Sequence, residues 1–241
     1  MLTINDITNN NKKNVPDQKI YEKFNDFIFS EDLKLTGKLL HRFLHFSNVK
    51  HLPGDIVEIG VFKGSGIASF LKFIEIFCPN SNKKVIGFDL FDPKDKNNVL
   101  NKGSEIEKQA MNLVYDRVEY SELSLESVKN RIYQTNISND KFLLIQGDAE
   151  ETVPKFLEKN PGFRASLIYI DVDLDRPTYF SLMNLWDRLL PGGVILFDEY
   201  EYHSFSESNG VDRFIRDKKL DYNIISTDWI APTAFMIKKS F

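Results

Sequence analysis

The stretch DIVEIGVFKGSGIASFLKFIEIF, residues 55–77, decides the fold. It opens on a short apolar run ending at Glu58 to Gly60 and passes through a loop bearing Gly60, Gly64 and Gly66. From Ser65 it continues with apolar residues at helical spacing. Strand, glycine loop and helix in that order make the first half of a βαβ unit. Glycine lets backbone come close to a ligand, and a helix start offers unpaired N–H groups. The spacing is G-x-x-x-G-x-G, unlike the dinucleotide pattern G-x-G-x-x-G, and no Gly-Lys-Ser/Thr follows for a phosphate loop. Glu58 faces the same loop, where it would repel a pyrophosphate and suit a cationic or amino-bearing ligand.

The rhythm repeats downstream. KKVIGFDL (83–90), KFLLIQGD (141–148), ASLIYIDVD (165–173) and GGVILFDEY (192–200) read as strands separated by helical patterns. DYNIISTD and TAFMIKKSF follow, joined by a loop with Trp229 and Pro232 that is too short for a crossover helix, so they should pair antiparallel. The expected fold is α/β, a doubly wound, mostly parallel seven-stranded sheet with an antiparallel C-terminal edge. Residues 1–16 read as a flexible leader and 17–52 as a helical segment interrupted around Ser30. The main domain is 53–241, with a polar, lid-like insertion over 92–140 that holds a capped helix beginning near Ser124.

A chain of 241 residues can bury one substantial core, and its formal charge of −4 gives no general attraction to nucleic acid or anionic membranes. The lone Cys78, at the end of an apolar helix, rules out an intrachain disulfide. The polar N-terminus lacks the apolar core of a signal peptide, and no apolar run is long enough to span a bilayer, so a cytoplasmic protein is expected. His41 and His45, four apart, read as partly buried or capping side chains rather than a metal pair. The apolar outer faces of the N-terminal helices suit burial against a second subunit, giving a homo-oligomer, as well as against the domain.

Acids recur at the strand ends. Asp89 lies where a carboxylate commonly accepts hydrogen bonds from a ribose. Asp148 and the backbone of Ala149 border the same crevice, although capping of the next helix is an equal reading for Asp148. An acid after each of three strands suits a nucleoside carrying a positive group, and S-adenosylmethionine fits that description. In LIYIDVDLDRPTYF (167–180) Asp171, Asp173 and Asp175 crowd within five positions, which demands a compensating positive charge. The crossover helix and Pro-Gly-Gly stop that follow bring Asp171 beside Asp198 and Glu199. Three carboxylates converging from two strand ends match a hard divalent cation such as Mg²⁺.

VEIGVFKGSG (57–66), GFDLFD (87–92), GDAEETVP (147–154), DVDLDRPTY (171–179) and LLPGGVILFDEY (189–200), in this order, resemble the class I methyltransferases of the macrocin O-methyltransferase, or TylF-like, group, which methylate sugar hydroxyls. The likeness runs from about Pro53 to the C-terminus. It implies a Rossmann-like fold with Glu58 and Gly60 near the methionine portion of the cofactor, Asp89 at the ribose, and Asp148 with Ala149 near adenine. It also implies Asp171, Asp198 and Glu199 as metal ligands. Asp-Glu stands here where relatives often have Asp-Asp, and DRPT where many have a Tyr-Glu-Ser-Thr-like sequence.

The expected reaction is methyl transfer from sulfonium to a hydroxyl of a sugar or nucleotide-sugar, which needs a base. Beside Asp171, Asp173 is the first candidate and His203 the second, with a solvent-facing loop histidine an equal reading for the latter. Asp175 and Arg176 read as a helix cap or an ion pair. A nicotinamide-dependent oxidoreductase is opposed by the glycine spacing and Glu58. A non-catalytic binding module is opposed by the carboxylates at both strand ends.

Overall fold

The computed structural model describes residues 18–92 and 100–239, so the expected leader and residues 93–99 of the insertion lie outside it. The described chain divides into two compact units, 1–37 and 38–241. The smaller holds α1 (Gln18–Ile28) and the first residues of α2 (Leu33–Val49), whose start is capped by Asp32 Oδ1 accepting from the Leu35 amide at 3.0 Å. From Lys38 onward α2 belongs to the larger unit.

The larger unit is built on the expected sheet. Its strands are β1 (Asp55–Ile59), β2 (Val85–Asp89), β3 (Phe142–Gln146), β4 (Ala165–Ile170), β5 (Leu189–Phe197), β6 (Ile225–Ser226) and β7 (Ala234–Ile237). They lie in the order β3-β2-β1-β4-β5-β7-β6, parallel as far as β5 and antiparallel in the last two pairings. β6 is only two residues long, so DYNIISTD contributes far less strand than its composition promises.

β4 is buried along its whole length because helices cover both faces of the sheet, as a near-continuous apolar run requires. Alternate residues feed two cores. Val57, Ile59, Phe88, Val153, Phe156, Leu182 and Phe214 fill one face, and Ile56, Phe46, Phe70, Ile74, Val128 and Tyr169 the other. Each fully buried large apolar side chain contributes about 1.5–3 kcal/mol. The helices are α3 (Ser65–Phe77), α4 (Glu105–Tyr115), α5 (Leu125–Tyr133), α6 (Ala149–Lys159), α7 (Asp175–Leu185) and α8 (Glu207–Asp217). Cys78 is half-buried just past α3, its amide closing onto the Ile74 carbonyl at 2.9 Å. No helix among the described residues is long and apolar enough to cross a membrane.

Register positions the site. Ile59, Phe88, Ile170 and Phe197 are mutual neighbours across four strands. Gly60, Asp89, Asp171 and Asp198 therefore emerge in one row at the carboxyl edge. The strand order reverses between β1 and β4, the position at which such sheets open a crevice.

Candidate active site

Each glycine of the β1–α3 loop answers a contact within the protein. Gly60 has φ +88°, and a Cβ there would stand 1.8 Å from the Asp171 carbonyl oxygen, so the two strand ends touch backbone to backbone. Gly64, at φ +90°, is the N-cap of α3 and leaves that helix start without a side-chain cap. Gly66 makes room for Glu58, whose Oε1 would lie 1.7 Å from an added Cβ. Ser65, the first residue of α3, is exposed.

Asp89 holds the loop in place. Its Oδ2 accepts from the amides of Val61 at 2.7 Å and Phe62 at 2.8 Å, and Oδ1 accepts from the Phe91 amide at 3.1 Å. Asp148 caps α6, accepting from the Glu150 amide at 3.0 Å, and also binds Lys102 Nζ at 2.6 Å. The capping reading of Asp148 therefore holds, and Ala149 opens the helix behind it.

At the other side of the crevice the positive partner demanded by the aspartates is protein. Lys38 Nζ donates to Asp171 Oδ2 at 2.9 Å and to Asp198 Oδ2 at 2.7 Å. Arg42, one helical turn later, lies 3.7 Å from both Glu58 Oε1 and Asp171 Oδ2, with its guanidinium 4.9 Å from the centre of the Tyr169 ring. The Tyr169 hydroxyl donates to Asp198 Oδ1. Burial alone would raise the Asp171 pKa, yet the Lys38 and Arg42 charges outweigh it and hold the carboxyl below its usual range. Glu58 lacks so close a partner, and burial pushes it up to about 8. Its Oε2 is buried without a hydrogen-bond partner.

Asp173 occupies the left-handed region at φ +63°, a costly conformation for a non-glycine residue and one that recurs at functional sites. Its carbonyl accepts from the Ser206 amide at 2.9 Å. Burial, then the charges of Asp171, Glu199 and Asp198, drives its carboxyl pKa well up. Glu207, fully buried at the start of α8, accepts from the Glu199 amide at 3.1 Å through Oε1 and is likewise raised by burial. His203 is exposed on the loop before α8, the solvent-facing alternative for that residue. Asp175 pairs with Arg213 at 2.8 Å, and Arg176 binds Glu150 through two nitrogens at 2.9 and 2.8 Å, so both serve as ion-pair residues.

The insertion is tied to this edge. Ser104 and Glu107 form a reciprocal capping box at the start of α4. Glu107 Oε1 also accepts from the Ser206 hydroxyl and, at 3.3 Å, from the Asp175 amide. Leu100 and Met111 pack with Leu174. Arg131 of α5 reaches back to the Lys63 carbonyl at 3.2 Å.

The expected groups fit unequally. The uncapped start of α3 and the loop held by Asp89 suit S-adenosylmethionine. A divalent ion does not fit the residues as placed. Asp171 and Asp198 meet through the oxygens that carry Lys38, the other Asp198 oxygen carries Tyr169, and no group of three metal-ligating side chains forms among the described residues. This departs from the expected ligand set of Asp171, Asp198 and Glu199 because a lysine from a helix preceding the sheet supplies the charge. His41 and His45 also have non-metal surroundings. His41 stacks on Trp229 with ring centres 6.2 Å apart, and buried His45 meets Phe235 at 4.5 Å and is lowered to about 4 by burial and by His41.

Lys38, Arg42, Tyr169 and Glu207 were not anticipated. The signal for the first two was present, since helical spacing puts them on the same stripe as Phe46 and Val49, where a cation is out of place unless paired.

Residues 37–235 match the family Macrocin-O-methyltransferase (TylF). A similar curated protein is the 8-demethyl-8-(2,3-dimethoxy-alpha-L-rhamnosyl)-tetracenomycin-C 4'-O-methyltransferase of Streptomyces olivaceus, 27% identical over 149 residues. That match covers 62% of this chain and 54% of the relative, so the chain spans about half of the relative's length. Among solved structures, the O-methyltransferase NovP superposes with a TM-score of 0.68 at 20% identity, covering 84% of this chain and 79% of that one. CalS11, a calicheamicin methyltransferase, gives 0.68 at 19% identity over 98% and 94% of the two chains. With a matching family that takes in β1 to β6, the start of β7, the glycine loop and the acidic edge, the chain belongs to the TylF macrocin O-methyltransferase family.

Proposed function

We propose that the protein is an S-adenosylmethionine-dependent O-methyltransferase acting on a hydroxyl of a small, sugar-bearing molecule. The observation that carries this reading is Asp173. It is a half-buried carboxyl kept in a left-handed backbone conformation, just past the strand end that packs against the glycine loop through Asp171 and Gly60. The rhamnosyl acceptor in the name of the tetracenomycin relative supports a sugar hydroxyl.

Bound S-adenosylmethionine supplies an electrophilic methyl group on sulfur. Gly60, Gly64, Ser65 and Asp89 hold the donor side of the crevice, with Asp89 at the ribose. Asp148 and Ala149 border the base end, where Lys102 already neutralises the aspartate. Asp173 removes the hydroxyl proton as the acceptor oxygen forms its bond to carbon and the carbon–sulfur bond breaks. The hydroxyl proton passes to the Asp173 carboxylate and from there to solvent. Lys38 and Arg42 keep Asp171 ionised and fixed beside it. The segment over α4, latched by Glu107, excludes water and aligns the acceptor, which matters because transfer depends on in-line approach. The divalent ion expected from the sequence has no part in this reading, since Lys38 carries the oxygens it would need. The net charge of −4 supports a soluble small-molecule acceptor rather than nucleic acid.

Calorimetry with S-adenosylmethionine and S-adenosylhomocysteine tests the donor, with NAD as the competitor that must fail. Tight NAD binding alone would reverse the assignment. Asp173→Asn should cut turnover by about 100-fold or more with little change in acceptor KM. Equal losses in binding and turnover would make Asp173 a binding residue.

A further inference from the structure

We propose that Lys38 is the resident cation of the acidic edge, a positioning residue that does the work of a divalent ion and leaves the wild-type site without a tight metal-binding place. The proposal rests on the methyltransferase reading only for its kinetic arm, since metal binding can be measured on the protein itself.

The geometry points this way at each atom. The Lys38 ammonium lies 2.9 Å from Asp171 Oδ2 and 2.7 Å from Asp198 Oδ2, so it bridges the two carboxylates that a metal would have to bridge. A magnesium ion bonds oxygen at about 2.0–2.1 Å, so an ion on the same two oxygens would sit against the ammonium, cation to cation. The other Asp198 oxygen already accepts from the Tyr169 hydroxyl, which competes with an ion for that oxygen. Tyr169 is itself fully buried and lies under the Arg42 guanidinium, which fixes the carboxylate from below. Arg42 is a second positive charge 3.7 Å from Asp171, and it does not deprotonate.

Lys38 is also held by construction. It lies within α2, four residues before Arg42, so both cations are presented by one helix face. Its side chain is only 18% exposed, with the ammonium committed to the two carboxylates. An ammonium in this place fixes the carboxylates and screens their mutual repulsion, the two services a metal would supply to Asp171 and Asp198. It does not serve as a Lewis acid with open coordination positions, so proton removal falls to Asp173 alone.

Titration with Mn²⁺, followed by electron paramagnetic resonance of the free ion, tests the idea on wild type, Lys38→Met and Lys38→Met/Asp198→Asn, each with and without S-adenosylhomocysteine. Wild type should show no tight site. Removing the ammonium should leave two carboxylates without their bridging cation and raise Mn²⁺ affinity by at least about tenfold. The added Asp198→Asn change should abolish that gain, which a merely destabilised protein would not reproduce. Wild-type methyl transfer should persist in excess chelator. Lys38→Arg, which keeps a cation, should bind no Mn²⁺.

A stoichiometric Mn²⁺ site in wild type that is lost in Asp198→Asn would overturn the proposal, as would chelator-sensitive turnover restored by Mg²⁺. Should Lys38→Met fail to fold, the wild-type titration decides alone. Absence of S-adenosylhomocysteine binding would instead remove the methyltransferase reading, while the Mn²⁺ results on the cofactor-free protein would still judge Lys38.

Discussion

Replacing Gly60 by alanine tests whether backbone contact between β1 and β4 sets the position of Asp171. The added Cβ would stand 1.8 Å from the Asp171 carbonyl oxygen and 2.6 Å from its carbonyl carbon, where real Cβ contacts do not fall below 3.0 Å. The strand ends must therefore part by more than an ångström, and the neighbour that has to give is backbone rather than a flexible side chain. Left-handed backbone costs a residue with a Cβ about 1–2 kcal/mol. Parting the ends also strains the bond from the Asp171 amide to the Ile59 carbonyl, now 2.8 Å long, at a net cost of about 1 kcal/mol. With the overlap added, Gly60→Ala should lose about 3 kcal/mol or more, lowering the melting temperature by roughly 6–12 °C. Asp171 and Asp173 would move with their strand, and misplacement on this scale should reduce turnover by about 100-fold. Gly162→Ala is the control, because an added Cβ there meets nothing within 4 Å and the change should stay within about 0.5 kcal/mol. Calorimetric melting of both variants decides the matter. A Gly60→Ala protein that melts with wild type would refute the claim that this contact locates the acidic edge.

Other outcomes follow from the same geometry. Burial raises the Glu58 pKa from 4.5 to about 8, so the native state holds a proton that the unfolded chain releases, and the Glu58 contribution to stability should decline as pH rises from about 4.5 to 8. Glu58→Gln should flatten that slope in melting curves taken at pH 5, 6.5 and 8, and unchanged slopes would contradict the assignment. Ser104→Ala removes the cap of α4 and should cost about 1 kcal/mol locally, speeding amide exchange over residues 105–115 and raising acceptor KM while sparing S-adenosylhomocysteine affinity. Exchange unchanged in that helix would show that Glu107 alone holds it.

Strand identity was legible because parallel strands buried on both faces read as unbroken apolar runs, and each ended in an acid or glycine. The helix at Leu125 could be read from Ser124, yet α4, which carries the same kind of cap in Ser104 and Glu107, lay hidden in a stretch whose polar start looked like loop. The length of β6 was overestimated because Tyr222, Ile224 and Ile225 have strand chemistry, while only Ile225 and Ser226 pair. The need for a positive charge at the aspartates was sound electrostatics. Its source was not legible as read, because charge repulsion specifies a sign and not a donor, and the donor lies 133 residues before Asp171. The glycine loop misled in the opposite direction, since Gly60 and Gly66 are required by Asp171 and Glu58 whether or not a ligand binds.

The bridge from Lys38 to the two aspartates also fixes where the catalytic unit can be severed. A version of the chain cut at Pro53 would retain every strand and the acids at the strand ends yet forfeit Lys38 and Arg42. Such a fragment would be left with Glu58, Asp171 and Asp198 crowded at one sheet edge and with the core face beneath α2 opened to water. It should recover order only by taking up protons or foreign counter-ions, and so would behave as an acid-loving relic of the intact protein.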